Sequence, residues 1–378
     1  AYTIRYEYST GLRETLSVST NGYPLQIVQD DSGATKSTDW SSLGLVLQST
    51  DNLGHTTAWE YADFLPTTET LPDGSVRTNA WADGFMAAST DELGYTTAYA
   101  RDADGNVTQV TYPDGNVETF TYGPLGLVET ATDRRGNTTS FTWDAYGQLA
   151  SMTPPDDDAV PGNEPLWLYE FDPTGRLVET TDPEGRVMAY TWDDGDRLIE
   201  TRYPDGTTTA LVYGVNGSDP LDPAGTTGLV LERKDRNDVW TRFTYDALDN
   251  VLMVTDPLGT VVENTWLPAT RLLQSELREG DLTWMTYDGT GLPETRNLWV
   301  DGATALTTSY AYDDLDRVVS TTDPYGYETY TVYDARGRTV EVGREYLPGA
   351  YAITTSSYDP VGNRIAETDA NGNVTSYE

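Results

Sequence analysis

Cysteine is absent from the 378 residues, and histidine occurs once. Without cysteine the chain has no disulfides, no thiolate metal site and no thiol nucleophile. The single histidine, His55, cannot form a His-based metal site, and no partners for a Ser/His/Asp triad can be identified. We interpret it as a residue at the start of a strand. No run approaches the roughly 18 apolar residues of a membrane span, so none is expected.

Positive charge is also scarce. Lys and Arg together number 23 against 61 Asp and Glu, which gives a formal net charge of −38. A surface of this sign repels nucleic acid phosphates and anionic lipid head groups, so we expect no nucleic acid partner and no membrane-surface role. Two interpretations remain open: a solvated acidic surface, or an attraction for cationic cargo or divalent cations.

The apolar fraction is low, at 37%, whereas glycine (34) and tyrosine (26) are abundant. This composition favours many turns and rows of aromatic residues over a thick aliphatic core. The arrangement of the aromatic residues is therefore the feature to read.

Aromatic residues recur four positions before a turn glycine or its substitute, most often 21 residues apart. We call these positions anchors, and all but Arg101 are aromatic. They define about sixteen units of roughly 21 residues. The anchors are Tyr8, Trp40, Tyr61, Trp81, Arg101, Tyr122, Trp143, Phe171, Trp192, Tyr213, Tyr245, Trp266, Tyr287, Tyr312, Tyr333 and Tyr358.

The segments between anchors have the composition of strands. They are rich in Thr, Val and Tyr, alternate in polarity and lack the helical i, i+3, i+4 spacing. Turns such as Pro113-Asp114-Gly115 and Pro204-Asp205-Gly206 separate them, since Pro presets φ and Gly accepts positive φ. Each unit is predicted to be an antiparallel β-hairpin, and the chain to be all-β.

A lone hairpin is barely stable in water, so the units are expected to pair edge to edge. At about 4.8 Å per strand they would form a ribbon on the order of 150 Å long, which must curl. We expect stacked Tyr and Trp rows from successive units to hold the curl. Residues 1–378 are predicted to form one continuous array, with insertions near 9–39, 152–166 and 214–240 as surface loops.

Two acidic segments superficially suggest calcium sites: residues 102–106 (DADGN) and 156–158 (DDD). Neither has the EF-hand spacing, which needs Gly at the sixth position and Glu at the twelfth. We interpret the first as a repeat turn and the second as a solvated loop. No catalytic, cofactor-binding or metal-binding residue is assigned, no cofactor is expected, and the chain is predicted not to be an enzyme.

The repeated motif resembles a known family. Tyr333-Asp334 followed by Gly337-Arg338, the segment 171–176 (FDPTGR) and the segment 358–363 (YDPVGN) are similar to the YD repeats of the Rhs family. Asp-Pro-x-Gly turns at 182–185, 256–259 and 323–326 extend the match over nearly the whole chain. The family includes bacterial Rhs polymorphic toxins, cocoon-forming subunits of insecticidal toxin complexes, wall-associated proteins and teneurins.

The resemblance implies a β-ribbon spiralling into a hollow shell, which in the toxins encloses a toxic C-terminal domain. Complete toxin shells end in a DPxGxxDG-like self-cleavage motif. Here residues 359–362 (DPVG) begin like it but continue as an ordinary repeat, so no cleavage residue is carried over. We expect a shell segment of a larger, secreted or cell-surface polypeptide, with the remaining shell repeats and an enclosed toxin domain as partners. The alternative is an extracellular adhesion or carbohydrate-binding module with a glycan ligand.

Overall fold

The computed structural model describes residues 2–7, 13–19, 24–29, 35–155, 165–214, 228–259, 261–268, 270–300 and 304–377. Within these ranges every regular element is a β-strand, and the 34 strands belong to one antiparallel sheet. Consecutive strands pair with each other, as β11 (Val107–Thr111) does with β12 (Val117–Tyr122). The all-β fold and the repeated antiparallel hairpins predicted from the sequence are confirmed.

The chain divides into two compact units, 1–98 with 283–378 (unit 1) and 99–282 (unit 2). The N-terminal strands of unit 1 are β1 (Tyr2–Glu7), β2 (Arg13–Val18), β3 (Pro24–Gln29), β4 (Thr35–Trp40), β5 (Val46–Thr50), β6 (Thr56–Ala62), β7 (Leu65–Thr70), β8 (Val76–Ala82), β9 (Phe85–Thr90) and β10 (Thr96–Arg101). The C-terminal strands of unit 1 are β26 (Asp281–Tyr287), β27 (Pro293–Trp299), β28 (Ala305–Tyr312), β29 (Val318–Thr322), β30 (Glu328–Tyr333), β31 (Thr339–Leu347), β32 (Ala350–Tyr358), β33 (Arg364–Thr368) and β34 (Val374–Ser376).

Unit 2 contains the most regular repeats. After β11 and β12 its strands are β13 (Val128–Thr132), β14 (Thr138–Trp143), β15 (Leu149–Thr153), β16 (Trp167–Phe171), β17 (Leu177–Thr181), β18 (Val187–Trp192), β19 (Leu198–Arg202), β20 (Thr208–Tyr213), β21 (Val230–Lys234), β22 (Trp240–Tyr245), β23 (Val251–Thr255), β24 (Val261–Trp266) and β25 (Leu273–Arg278). β10 and β26 contain the unit boundaries.

Because consecutive strands run in opposite directions, their turns alternate between two edges. We call the edge whose turns directly follow an anchor the anchor edge; in unit 2 it includes turns 123–127, 144–148, 172–176 and 193–197. The opposite edge carries turns 112–116, 133–137, 182–186 and 203–207. The turns on both edges share two backbone hydrogen bonds, from the first N–H to the fifth carbonyl and from the fourth N–H to the first carbonyl.

The fourth residue of these turns has positive φ. It is usually Gly, as at Gly175 (φ 92°), and in turn 193–197 it is Asp196 (φ 59°). Aspartate is one of the few other residues that adopt this conformation, because its short polar side chain bonds locally. Asp196, which stands where other turns have Gly, therefore preserves the same turn.

Few side chains of the described residues are fully covered. Val18 and Leu231 are the buried apolar ones, at 3% and 2% exposure, and the anchors of unit 2 are half-buried. On the exposed face, hydroxyl groups bond across strands, as between Thr121 and Thr130 (2.7 Å) and between Thr142 and Ser151 (2.6 Å). Such cross-strand pairs account for the Thr-rich composition of the strands.

The predicted insertions differ in their outcome. Residues 9–39 were expected to be a surface loop, but β2, β3 and most of β4 lie there, and Val18 stands at a register shift like an anchor. An aliphatic residue replaces the aromatic one, so the aromatic signal was missing. Residues 156–164 and 215–227 lie outside the described residues, as do Tyr8 and the 156–158 acidic segment. The last part of 214–240 is regular, since it contains β21 and the turn before β22.

Candidate functional site

The anchors are the residues that distinguish one edge of the sheet from the other. The pairing register shifts immediately before most of them, for example between Thr121 and Tyr122 and between Thr191 and Trp192. A β-bulge of this kind bends the strand and increases its twist. The same shift precedes Trp143, Phe171, Tyr213, Tyr245, Trp266, Tyr287, Tyr312, Tyr333 and Tyr358.

Each bulge turns the aromatic side chain back across its own hairpin. The Tyr122 hydroxyl donates to the carbonyl of Val107 at 2.8 Å, and the Trp192 indole Nε1 donates to that of Leu177 at 2.8 Å. In both cases the acceptor lies 15 residues earlier, at the start of the preceding strand. The same spacing holds for Trp143, Tyr213, Tyr245, Trp266 and Tyr333.

Three anchors depart from this spacing. Tyr312 and Tyr358 reach carbonyls 19 residues earlier, those of Pro293 and Thr339, both at 2.8 Å. The Tyr287 hydroxyl lies 3.4 Å from the Met285 sulfur. Phe171 has no polar atom and contributes its ring alone. Burial of half the ring and satisfaction of its polar tip are what make Tyr and Trp suitable at this position.

The aspartate after the anchor organises the turn. In turn 193–197, Asp193 Oδ1 accepts the backbone N–H groups of Gly195 (2.8 Å) and Arg197 (3.0 Å), and Oδ2 accepts Arg197 Nε (2.7 Å). The hydrogen bond from the Arg197 side chain, together with its N–H, holds the pKa of Asp193 below its ordinary value of 3.8. The motif Tyr/Trp-Asp-x-x-Gly-Arg is thus one hydrogen-bonded structure.

The arginine that ends the motif connects one repeat to the next. The Arg197 guanidinium carbon lies 4.6 Å from the centre of the Tyr213 ring, and that of Arg317 lies 4.4 Å from the Tyr333 ring. Arg338 covers Tyr358 in the same way at 5.1 Å. Each pair is a cation–π contact that stabilises the junction of two hairpins.

The rows of stacked anchor rings expected from the sequence are therefore replaced by arginines that lie between successive anchors. The described residues include the ring pairs Phe141 with Trp143, Trp284 with Trp299, and Tyr330 with Tyr351, and none of these three joins two anchors. Successive anchors lie two strands apart, about 10 Å, whereas ring centroids in contact are about 4.5–7 Å apart. Arginine spans this gap. The motif contained the signal, but a role for the arginine was not assigned from the sequence.

Unit 1 contains a charged junction between segments distant in sequence. The Glu92 side chain is 1% exposed and pairs with Arg77 (2.8 Å) and Arg336 (2.9 Å). Arg336 also contacts Asp73 at 3.3 Å. Burial alone would raise the pKa of Glu92, but the hydrogen bonds and charges of the two arginines outweigh it and lower that pKa below 4.5. Turn 334–338 of the anchor edge thus lies against turns 71–75 and 91–95 of the opposite edge.

His55 and the acidic segment 102–106, which were considered as candidate catalytic or metal-binding residues, have hydrogen bonds within their turns. His55 closes turn 51–55 just before β6, and its Nδ1 lies 3.0 Å from Asp51 Oδ2. In the segment 102–106, Asp102 accepts the side-chain amide of Asn106 at 3.0 Å, as Asp133 does from Asn137 in turn 133–137. In the part of the chain that the structure describes, no group of three or more His, Asp or Glu is placed to hold a metal ion. No described helix has the length and hydrophobicity needed to cross a membrane.

The fold and the anchor motif together define a class: β-ribbon proteins built from hairpin repeats of the YD type. Within that class, residues 81–117, 101–138, 122–159 and 171–208 match the family model of the RHS repeat. These matched residues are RHS repeats, and the resemblance to the Rhs/YD-repeat family seen in the sequence is confirmed over them. No curated protein matches the chain significantly.

Solved structures share the fold along almost the whole chain. The crystal structure of TcdB2-TccC3-Cdc42 matches with a TM-score of 0.78 at 14% identity, over 97% of this chain and 22% of that one. A Tc holotoxin pore of Photorhabdus luminescens matches with the same TM-score at 13% identity and the same coverage. A TcdB2-TccC3 structure without its hypervariable C-terminal region matches at 0.78 and 14%. This chain therefore spans about a fifth of the length of these structures' chains.

Proposed function

We propose that this chain is a wall segment of an Rhs-type shell that encloses or displays a toxin or effector domain. The observation that carries the proposal is the continuous hairpin ribbon, which matches the toxin-complex structures over 97% of its length. Arginines connect its repeats, since Arg197 lies over the Tyr213 ring and Arg336 pairs with Glu92. In this proposal the repeats joined in this way form part of a container wall.

The partners in this proposal are the remaining shell repeats and the enclosed domain of the same polypeptide, outside the cell. The segment itself has no catalytic role, and its residues serve structure. Half-buried anchors, hydrogen-bonded turn aspartates and ring-covering arginines support this assignment, because their polar groups are already occupied by bonds within the ribbon.

Protease protection in the natural polypeptide tests the proposal. We expect the segment that follows the repeats to resist trypsin in the native protein and to be digested once denaturant opens the ribbon. Digestion at the same rate in both conditions would contradict enclosure. An unrelated unfolded substrate added to both reactions controls for loss of trypsin activity in denaturant.

A second function, carbohydrate binding by an extracellular adhesion module, has one observation in its favour. Tyr146 and Tyr325, each the third residue of a turn, are 90% and 80% exposed, and exposed rings of this kind stack on sugars. A glycan array with the purified chain tests it. Binding that disappears in the double variant Tyr146→Ala, Tyr325→Ala supports the module, and a signal no higher than background contradicts it.

A further inference from the structure

The repeat after Tyr122 in unit 2 lacks both charged residues of the motif. Where the repeat after Trp192 has Asp193 and Arg197, this repeat has Gly123 and Leu127. The backbone of its turn is unchanged, because Gly123 N–H still donates to the Leu127 carbonyl at 2.9 Å. The turn is thus preserved while its ion pair is missing.

Leu127 occupies the place of the missing arginine. Its Cδ1 lies 3.5 Å from the position that a Cβ would take on Gly147, in the next turn of the same edge. In a complete repeat, Arg317 Nη1 lies 3.5 Å from the corresponding position on Gly337. Since leucine is shorter and uncharged, it places no guanidinium over the Trp143 anchor that follows.

A carboxylate nevertheless remains at the place of the missing aspartate. Glu129 Oε1 lies 2.8 Å from the position of a Cβ on Gly123, so the Glu129 carboxylate stands where an aspartate side chain would be. Glu129 has no hydrogen-bond or ion-pair partner in the described part of the chain. By contrast, the carboxylates of Asp193 and Asp313 each pair with an arginine at 2.6 Å.

The vacated space is a groove of about 450 Å³. Its walls include the rings of Phe141 and Trp143, whose centroids are 6.5 Å apart and whose planes differ by 29°. Leu125, which is 67% exposed, and Glu129 also line the groove. The groove therefore combines flat aromatic surface with the Glu129 carboxylate. Asp144 also lines it, and its Oδ1 accepts the backbone N–H groups of Tyr146 (2.8 Å) and Gln148 (2.9 Å).

We propose that this groove binds an arginine side chain supplied by a partner polypeptide, in the place that the ribbon's own arginine takes in complete repeats. A planar guanidinium stacks on the aromatic rings and pairs with the Glu129 carboxylate through two N–H groups. An ammonium group cannot do both in the same geometry. The acidic surface, with a net charge of −38, attracts a basic partner segment towards the groove. This proposal is independent of whether the ribbon encloses a toxin.

Short acetylated and amidated alanine peptides that carry one central arginine, lysine or citrulline test the chemistry. Binding is followed through the indole N–H resonance of Trp143, assigned by its loss in Trp143→Phe. At physiological ionic strength we expect the arginine peptide to bind about tenfold more tightly than the lysine peptide, because only arginine stacks and pairs together. Equal shifts with arginine and lysine would indicate general charge attraction. Equal shifts with arginine and citrulline would show that the positive charge is not needed, and either result overturns the proposal.

Three variants locate the site. Glu129→Gln should weaken binding of the arginine peptide about tenfold, through loss of the charge-assisted pair. Glu170→Gln, which removes one charge from an exposed position on β16, should change it less than about twofold. Leu127→Arg supplies the missing guanidinium, so it should abolish peptide binding while the circular dichroism spectrum stays that of the parent. Unchanged binding in Leu127→Arg, or equal effects of the two glutamine variants, would contradict the site.

Discussion

The two edges of unit 2 use the same turns but connect them differently. Turn 193–197 on the anchor edge and turn 203–207 on the opposite edge have the same pair of backbone hydrogen bonds. On the anchor edge, the pairing shifts at Trp192 and the aromatic side chain reaches across the hairpin. On the opposite edge, the register from β19 to β20 continues without a shift. The turn chemistry therefore folds each hairpin, and the bulge with its aromatic residue sets how the hairpin bends.

The opposite edge has its own connections, which are more exposed. Arg134 lies over the Tyr112 ring at 4.3 Å and Arg236 over the Tyr203 ring at 4.2 Å, and these arginines pair with Asp114 and Asp205 of the same earlier turns. Arg134 is 42% exposed and Arg236 49%, whereas Arg317 on the anchor edge of unit 1 is 21% exposed. Exposed pairs of this kind contribute little to stability, so the anchor edge should dominate it.

Acid should produce the largest effect, because it acts on the turns of both edges. The Arg197 side chain lowers the pKa of Asp193, and the Thr207 hydroxyl lowers that of Asp205, both from 3.8. The unfolded chain therefore takes up protons at higher pH than the folded chain does. Stability from these groups is fully present above their ordinary pKa and is lost as pH falls through the folded values.

Thermal melting measured at a series of pH values checks this. The melting temperature should change little until the pH approaches about 4 and should then fall steeply. A melting temperature that stays constant below that pH would contradict the role of the turn carboxylates. Nuclear magnetic resonance titration sharpens the comparison, since we expect pKa values below 3.8 for both Asp193 and Asp205.

Removing an anchor should have the next largest effect. Trp192→Ala should lower the free energy of unfolding by about 3 kcal/mol through lost packing, and Trp192→Phe by about 1 kcal/mol through the lost hydrogen bond to Leu177. Tyr203→Ala, the matched change on the opposite edge, should cost about 1 kcal/mol or less, since it removes a cation–π contact. Chemical denaturation measures all three. Equal losses of unfolding free energy for Trp192→Ala and Tyr203→Ala would contradict the larger contribution of the anchor edge to stability.

An effect smaller than that of Trp192→Ala is expected at the Glu92 junction in unit 1. Glu92→Gln in unit 1 should lower the free energy of unfolding by about 2 kcal/mol, because two arginines lose a nearly buried partner. Glu184→Gln, on an opposite-edge turn where Glu184 is 64% exposed, should change it by less than about 0.5 kcal/mol. Denaturation curves that superimpose for these two variants would show that the Glu92 junction adds no stability.

Much of the fold could be read from the sequence because its signals are local. The anchor spacing, the Thr-rich alternating segments and turns such as Pro204-Asp205-Gly206 each lie within about 21 residues, so one repeat contains its own instructions. The strands β2 and β3 were missed because Val18 replaces the aromatic residue. Asp196 in place of glycine did not obscure its turn, since its neighbours kept the pattern.

The long-range parts of the site had no such signal. Arg336 and Glu92 are 244 positions apart, and nothing in either segment specifies the other. The free Glu129 carboxylate was equally hidden, because its meaning depends on what Gly123 and Leu127 lack. Expected ring stacking was wrong for a geometric reason, since the spacing between anchors exceeds the reach of two rings.

The hydrogen bond from each anchor to a carbonyl 15 residues earlier has a consequence for how such a chain changes over time. Each bond is contained within a single hairpin, so a whole repeat can be duplicated or deleted without leaving an orphaned donor elsewhere. Genes that encode this ribbon can therefore gain or lose length in steps of one hairpin. A mutation that removes one anchor hydrogen bond therefore affects mainly its own hairpin.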